Sequence, residues 1–255
     1  MPGCASILTT APVRSGWAPP AIEPAQLRAA RVLGFLYVLQ MAVAVFGQSF
    51  VRQRLIVADP VQTAQNIVGS ERLFRLSIAG DLFVYAGVIV LAWAFYVVVR
   101  PVDRNLALLA VLFRLAETAV LSVATIQSLV ALRLLSGAGE LSSFSHAQLQ
   151  SLVKLALHTQ GLGMSVGFIL LGLGSTVFAW LLWKSRYVPR VIAGWGIFSS
   201  LLLAAITMAA LVFPGLGTAL GMTYMAPMGL YEVGLGVWLL VKGIEVPLTD
   251  SAAPN

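Results

Sequence analysis

The sequence predicts an all-α polytopic membrane protein: a bundle of six transmembrane helices with a short amphipathic surface helix between the first two. Two observations carry that reading. The 255 residues are 59% hydrophobic and 10% charged, with a mean hydropathy of +0.90, whereas soluble domains carry about 25% charged residues. The apolar runs are also long enough to cross about 30 Å of hydrocarbon, and most Lys and Arg sit beside those runs. Basic residues placed so orient a membrane protein and imply the lipid bilayer, not a nucleic acid, as partner, despite a formal charge of +6.

Residues 1–25 mix Pro, Ala, Ser and Gly without the apolar stretch of a secretory signal, and read as a disordered cytoplasmic tail. The single cysteine, Cys4, lies there, so neither a disulfide framework nor a Cys-based metal site is expected. The membrane domain then spans residues 26–245, with a disordered tail at 246–255. Its first span runs from Val32 to Phe50, introduced by Arg28 and Arg31 and closed by Arg52 and Arg54. Asp59-Pro60 reads as an N-cap and first helical residue. Behind it Val61, Ala64, Ile67 and Val68 recur at helical spacing against Gln62, Gln65 and Asn66, predicting an amphipathic helix on the outer membrane surface. Gly69-Ser70 ends it.

The second span covers Leu73 to Val99, and Pro101 stops it. Asp103 caps the third, Leu106 to Leu135, leaving a tight basic turn with Arg100 and Arg104, and Ser136-Gly137-Ala138-Gly139 breaks it. Ser145 and Gln148 are spaced as a capping box for the fourth span, Gln148 to Trp183. Lys184, Arg186 and Arg190 form a second basic turn before the fifth span, which opens at Pro189 and ends at Phe213. The sixth ends at Lys242 and has two possible starts. Either Pro227 sits in its first turn, or the helix begins near Thr218 and kinks at Pro227. Both basic turns fall on one side of a six-span chain, which puts the N- and C-termini in the cytoplasm of a bacterial inner-membrane protein. No feature sets an oligomeric state.

Polar residues then mark the inward faces, because charge at mid-membrane is costly and turns toward a bundle interior. The second span carries Ser77, Asp81 and Tyr85; the third Arg114, Glu117, Thr118, Ser122, Thr125 and Ser128. The fourth carries Lys154, His158, Gly161, Ser165 and Gly172, and the sixth Glu232 between Gly229 and Gly236. The first adds Gln40 and Gln48. From a rise of about 1.5 Å per residue, Arg114, Glu117 and Glu232 lie at depths where they can meet, while Asp81 and His158 form a second, outer cluster with Lys154 above. Three acids against the one deep base, Arg114, imply a proton, a cation, or a partner among His158, Arg75 and Lys154 for at least one of them. For Arg114–Glu117, a packing pair and a ligand site are both open readings.

Sharper motifs do not apply. Gly163-Met164-Ser165-Val166-Gly167 spells G-x-S-x-G inside a span, not at a strand-to-helix elbow. Two histidines without usable cysteines give no zinc site, and no phosphate loop or dinucleotide fingerprint implies a cofactor. Gly163 and Gly167 read as a small-residue pair for close helix contact.

Several blocks are similar to a known family: Ala30 to Tyr37, Leu73-Phe74-Arg75 leading to Asp81, Pro101 to Ala110, Phe113-Arg114-Leu115-Ala116-Glu117, His158, and Glu232 to Gly243. They resemble, in order over residues 26–243, the bacterial membrane family of domain of unknown function 4386. The resemblance implies a compact helical membrane protein, marks Arg114, Glu117, His158 and Glu232 as family-like positions, and implies no reaction. The residues favour a binding or transport protein for a small molecule, lipid or proton, with Asp81, Arg114, Glu117, His158 and Glu232 at the ligand. The alternatives are an intramembrane enzyme acting on a lipid-like substrate, with His158 and Asp81 or Glu117 as acid and base, and a structural or regulatory subunit.

Overall fold

A computed structural model describes residues 22–136, 143–221 and 223–245. Residues 1–21, with Cys4, the Gly137–Gly139 breaker and the tail from 246 lie outside the described residues. Those described form helices and turns, with no strand among them. In order they are α1 (Pro24–Val45), a π-helical segment (Phe46–Arg52), α2 (Gln53–Leu55), α3 (Pro60–Gly69), α4 (Glu71–Val99), α5 (Arg104–Leu135), α6 (His146–Ser185), α7 (Arg190–Val212), α8 (Pro214–Leu220), a 3-10 turn (Thr223–Met225) and α9 (Ala226–Val241). Six helical stretches are long and apolar enough to cross a membrane: Pro24–Leu55, Glu71–Val99, Arg104–Leu135, His146–Ser185, Arg190–Val212 and Thr223–Val241. The chain is an all-α, multi-pass membrane protein.

The first helix starts at Pro24, well ahead of the expected Val32. Glu23 and Gln26 form a reciprocal capping box there, and Pro24 is preset for the first turn. The Gln26 side chain also donates to the Val98 carbonyl at 2.9 Å, tying the start of α1 to the end of α4. Arg28 and Arg31 therefore ride on the exposed face of the helix instead of preceding it. The other end runs on too, as a π-helical turn and α2, past the expected limit at Phe50.

Most caps follow the sequence. The Asp59 carboxylate accepts from the backbone N–H groups of Val61 and Gln62 to start α3. Asp103 accepts from those of Asn105 and Leu106 to start α5. Ser145 and Gln148 form the expected capping box of α6. The sixth span takes the short option, with Pro227 in the first turn of α9, where its missing N–H costs nothing. The amphipathic α3 is present, and Thr63, Ala64 and Ile67 are buried against the protein while Val61 and Val68 stay exposed.

The spans pack in the order α1, α4, α5, α6, α7, α9 and back to α1, closing a ring. Small residues let the seams close. A Cβ on Gly34 would lie 2.7 Å from the Gly236 carbonyl oxygen across the α1–α9 seam, and one on Gly172 would lie 2.6 Å from the Ser200 carbonyl between α6 and α7. Gly163 and Gly167 serve the α5–α6 seam as the pair predicted, set against Ala124 and Leu121. The outer surface of the ring is apolar, with residues such as Phe35, Trp93, Val123 and Val191 exposed, as a lipid-facing surface requires.

Apolar clusters pack within the ring toward both ends. At the end bearing the α4–α5 and α6–α7 turns, Phe95 stacks on Phe178 at 4.3 Å and meets Tyr37 edge-on at 6.0 Å. Leu33, Leu203 and Leu235 complete that cluster. At the opposite end, beneath α3, a smaller apolar cluster joins Val51, Leu55, Ile67, Phe74, Ile78 and Leu132. What lies between the two clusters is the site.

Candidate functional site

One cavity of about 270 Å³ occupies the middle of the ring, lined by all six spans. On α1 and its π-helical extension, Tyr37, Gln40, Ala44, Gln48 and Arg52 face it along roughly 20 Å of helix. Four-residue steps drift about 40° each around an α-helix of 3.6 residues per turn. The wider π turn at Phe46–Arg52 takes up that drift and keeps Gln48 and Arg52 on the inward stripe.

The charged groups cluster at two levels. Near α3, the Arg52 guanidinium donates twice to the Asp81 carboxylate, Nη1 to Oδ1 at 3.2 Å and Nη2 to Oδ2. Their side chains are 7% and 14% exposed, so this pair belongs to the interior. One turn further along α4, the Tyr85 hydroxyl shares a hydrogen bond with the Thr125 hydroxyl at 3.2 Å. The second level holds Arg114 and Glu117, whose Nη1 and Oε2 are 2.9 Å apart with both side chains buried. Successive turns of α5 place them on one face, as the spacing predicts. Neither of those two atoms completes a hydrogen bond, and the Gln40 amide nitrogen is likewise buried without a partner. Glu232 enters from α9 at the same level. Among the described residues Arg114 is the one base whose charge acts on Glu232, and it faces Glu117 as well.

Asp81, Arg114, Glu117 and Glu232 thus line one cavity. The inward stripes read on the second and third spans are where the sequence puts them: Ser77, Tyr85, Thr118, Thr125 and Ser128 are all buried. Two levels of charge are also present as expected, but the outer one has other members. Asp81 pairs with Arg52, not with His158, Lys154 or Arg75; Arg75 binds the exposed Glu71 at 2.7 Å.

His158 lies elsewhere. It is exposed and lines a separate groove with Lys154, Val57, Thr63, Gly161 and Ser165, between α6 and the start of α3. The fourth-span stripe therefore points out of the ring, except Gly172, and the buried face of α6 carries Val153, Ala156, Gln160 and Gly167. The reason is length. With 40 residues α6 exceeds the hydrocarbon, and His158 sits roughly 39 Å from Lys184 at 1.5 Å per residue, beyond a core of about 30 Å. An acid–base pair of His158 with Asp81 or Glu117 is not assembled. Ser165 bonds its own helix, donating to the Gly161 carbonyl at 3.2 Å, as a mid-helix serine does.

Sequence reasoning missed three features. Arg52, expected to close the first span, is the partner of Asp81; continuing the Gln40–Gln48 face by one more turn finds it. Gln160 is buried and accepts from the Ser128 hydroxyl at 2.5 Å. Met41, Met164, Met225 and Met228 line the cavity, a signal that apolar composition hides. Among the described residues, no group of three His, Cys, Asp or Glu converges to hold a metal.

The family model described as Domain of unknown function (DUF4386) matches residues 32–243. No curated protein and no solved structure matches the chain.

Proposed function

The chain belongs to the family of domain of unknown function 4386, and we propose from its central cavity that it binds, and passes along the ring, a small molecule or lipid-like ligand. One observation carries this reading: the central cavity has four ionisable side chains from three spans on its wall, Asp81, Arg114, Glu117 and Glu232, besides Arg52. Charge inside a bilayer is expensive and marks substrate and ion pathways. A pair serving only to fix helix packing needs no space around it. Apolar pockets with a few convergent polar groups are the usual form of a small-molecule site.

The same reading places the chain in a bacterial cytoplasmic membrane with both ends inside. Arg100, Arg104, Lys184, Arg186 and Arg190 share the end of the ring that carries the two short turns, and short basic loops stay cytoplasmic. The cavity then has the Phe95–Phe178 cluster on its cytoplasmic side.

The test is retention of bound small molecules by the full chain in mild detergent, measured by native mass spectrometry. A Cβ at Gly229 would lie 3.7 Å from the Met41 methyl across the cavity, so Gly229→Phe drives a ring into the void. Gly234 meets nothing within 4 Å, and Gly234→Phe is the control. Ligand lost in Gly229→Phe and kept in Gly234→Phe supports the reading. Equal small-molecule content in both would overturn it.

A further inference from the structure

The charges on the cavity wall do not balance, and the imbalance has one address. Arg52 and Asp81 neutralise each other through two hydrogen bonds. Arg114 and Glu117 form a second pair. Glu232 remains. It makes no hydrogen bond or ion pair among the described residues, and the one base that acts on it is already committed to Glu117. The cavity therefore carries one negative charge more than it can compensate. An acid so placed is neutralised by a proton or by a cation from outside.

The wall around Glu232 selects among cations. Met41, Met164, Met228 and Phe168 supply polarisable, adaptable surface, with Leu171 and Val88 completing an apolar chamber. Thioethers and an aromatic face suit a large apolar cation and cannot replace the hydration shell of a hard metal ion, which takes six or more oxygens. An anion is disfavoured because three carboxylates, Asp81, Glu117 and Glu232, outnumber the two guanidinium groups on the wall. Glu117 Oε2, buried without a hydrogen-bond partner, adds an acceptor beside the same space.

We infer that the ligand of this cavity is a lipophilic monocation, an ammonium or phosphonium centre carrying an apolar body, which replaces a proton at Glu232. The inference rests on the binding reading above. The groups that face Glu232 are Tyr37 from α1, Arg114 and Glu117 from α5, and Tyr231 on α9, with Asp81, Arg52 and Tyr85 further along the cavity; α6 and α7 present apolar side chains to it. Cation binding at Glu232 releases one proton per chain, so affinity rises with pH until that carboxyl is fully ionised.

The probe is tetraphenylphosphonium, measured by equilibrium dialysis on the full chain in mild detergent across a pH series. Triphenylphosphine oxide serves as the neutral probe and tetraphenylborate as the anionic one. The expected result is saturable binding of the cation alone, weakening by about tenfold per pH unit on acidification, with proton release seen in weakly buffered solution. Glu232→Gln abolishes cation binding, and Glu232→Asp restores part of it. The comparison of the three probes on the unaltered chain needs no variant to fold. Neutral-probe binding equal to that of the cation and blocked by Gly229→Phe would overturn the inference while leaving the cavity reading intact. Tighter binding of the anion would do the same. No binding of any probe, together with small-molecule content indifferent to Gly229→Phe, would overturn both.

Discussion

The Arg52–Asp81 pair offers the sharpest quantitative test of how the ring is held. Its two side chains are 7% and 14% exposed and share two hydrogen bonds. It joins the π-helical end of α1 to α4 at the level where the α3-end cluster begins. Two unit charges about 4 Å apart attract by about 4 kcal/mol at an effective dielectric of 20. Removing one partner of a buried pair costs about 3–5 kcal/mol, since the survivor is left uncompensated. Arg52→Met and Asp81→Asn should therefore each destabilise the chain by about 3 kcal/mol. For a chain of this size that corresponds to a fall in Tm of roughly 6–12 °C. The double variant buries no bare charge and should lose less than either single variant, far short of the additive value of about 6 kcal/mol. The assay is reversible unfolding of all four proteins in mixed micelles, followed by far-ultraviolet circular dichroism. Single-variant effects that add within about 0.5 kcal/mol would refute the pairing.

Three further outcomes follow from the same packing. Gly34→Leu forces a side chain into the Gly236 carbonyl and Leu240; an overpacking cost of about 1–3 kcal/mol or more should appear as a lowered melting temperature. Ser128→Ala removes the donor to the buried Gln160 carboxamide and should cost about 1–3 kcal/mol in the same unfolding assay. His158→Ala, in its separate exposed groove, should leave ligand retention by the central cavity unchanged, as native mass spectrometry would show.

The sequence was informative where one physical cause dominates. Apolar length located all six spans, and local side-chain-to-backbone chemistry located the starts of α3, α5 and α6 at Asp59, Asp103 and Ser145. On α4 and α5 a polar residue at mid-depth has one place to go, so Asp81, Arg114 and Glu117 were read correctly as inward. Near the membrane surface the same periodicity is ambiguous, because a polar side chain is satisfied equally by a wet interior and by interfacial water. That is why Lys154 and His158 were read inward and lie outward. The 40 residues of α6 exceed the hydrocarbon and carry both to its surface end. Arg52 escaped for a related reason. Reading the span as ending at Phe50 discards the end of the π-helical turn, which carries the next inward charge.

The inward, shared position of Glu117 and Glu232 is the central claim, and thiol cross-linking in native membranes tests it most directly. With Cys4 replaced by serine, Glu117→Cys should be joined to Glu232→Cys by a short bifunctional thiol reagent. Joined instead to Val233→Cys, whose side chain faces outward, with no product at position 232, it would contradict the account.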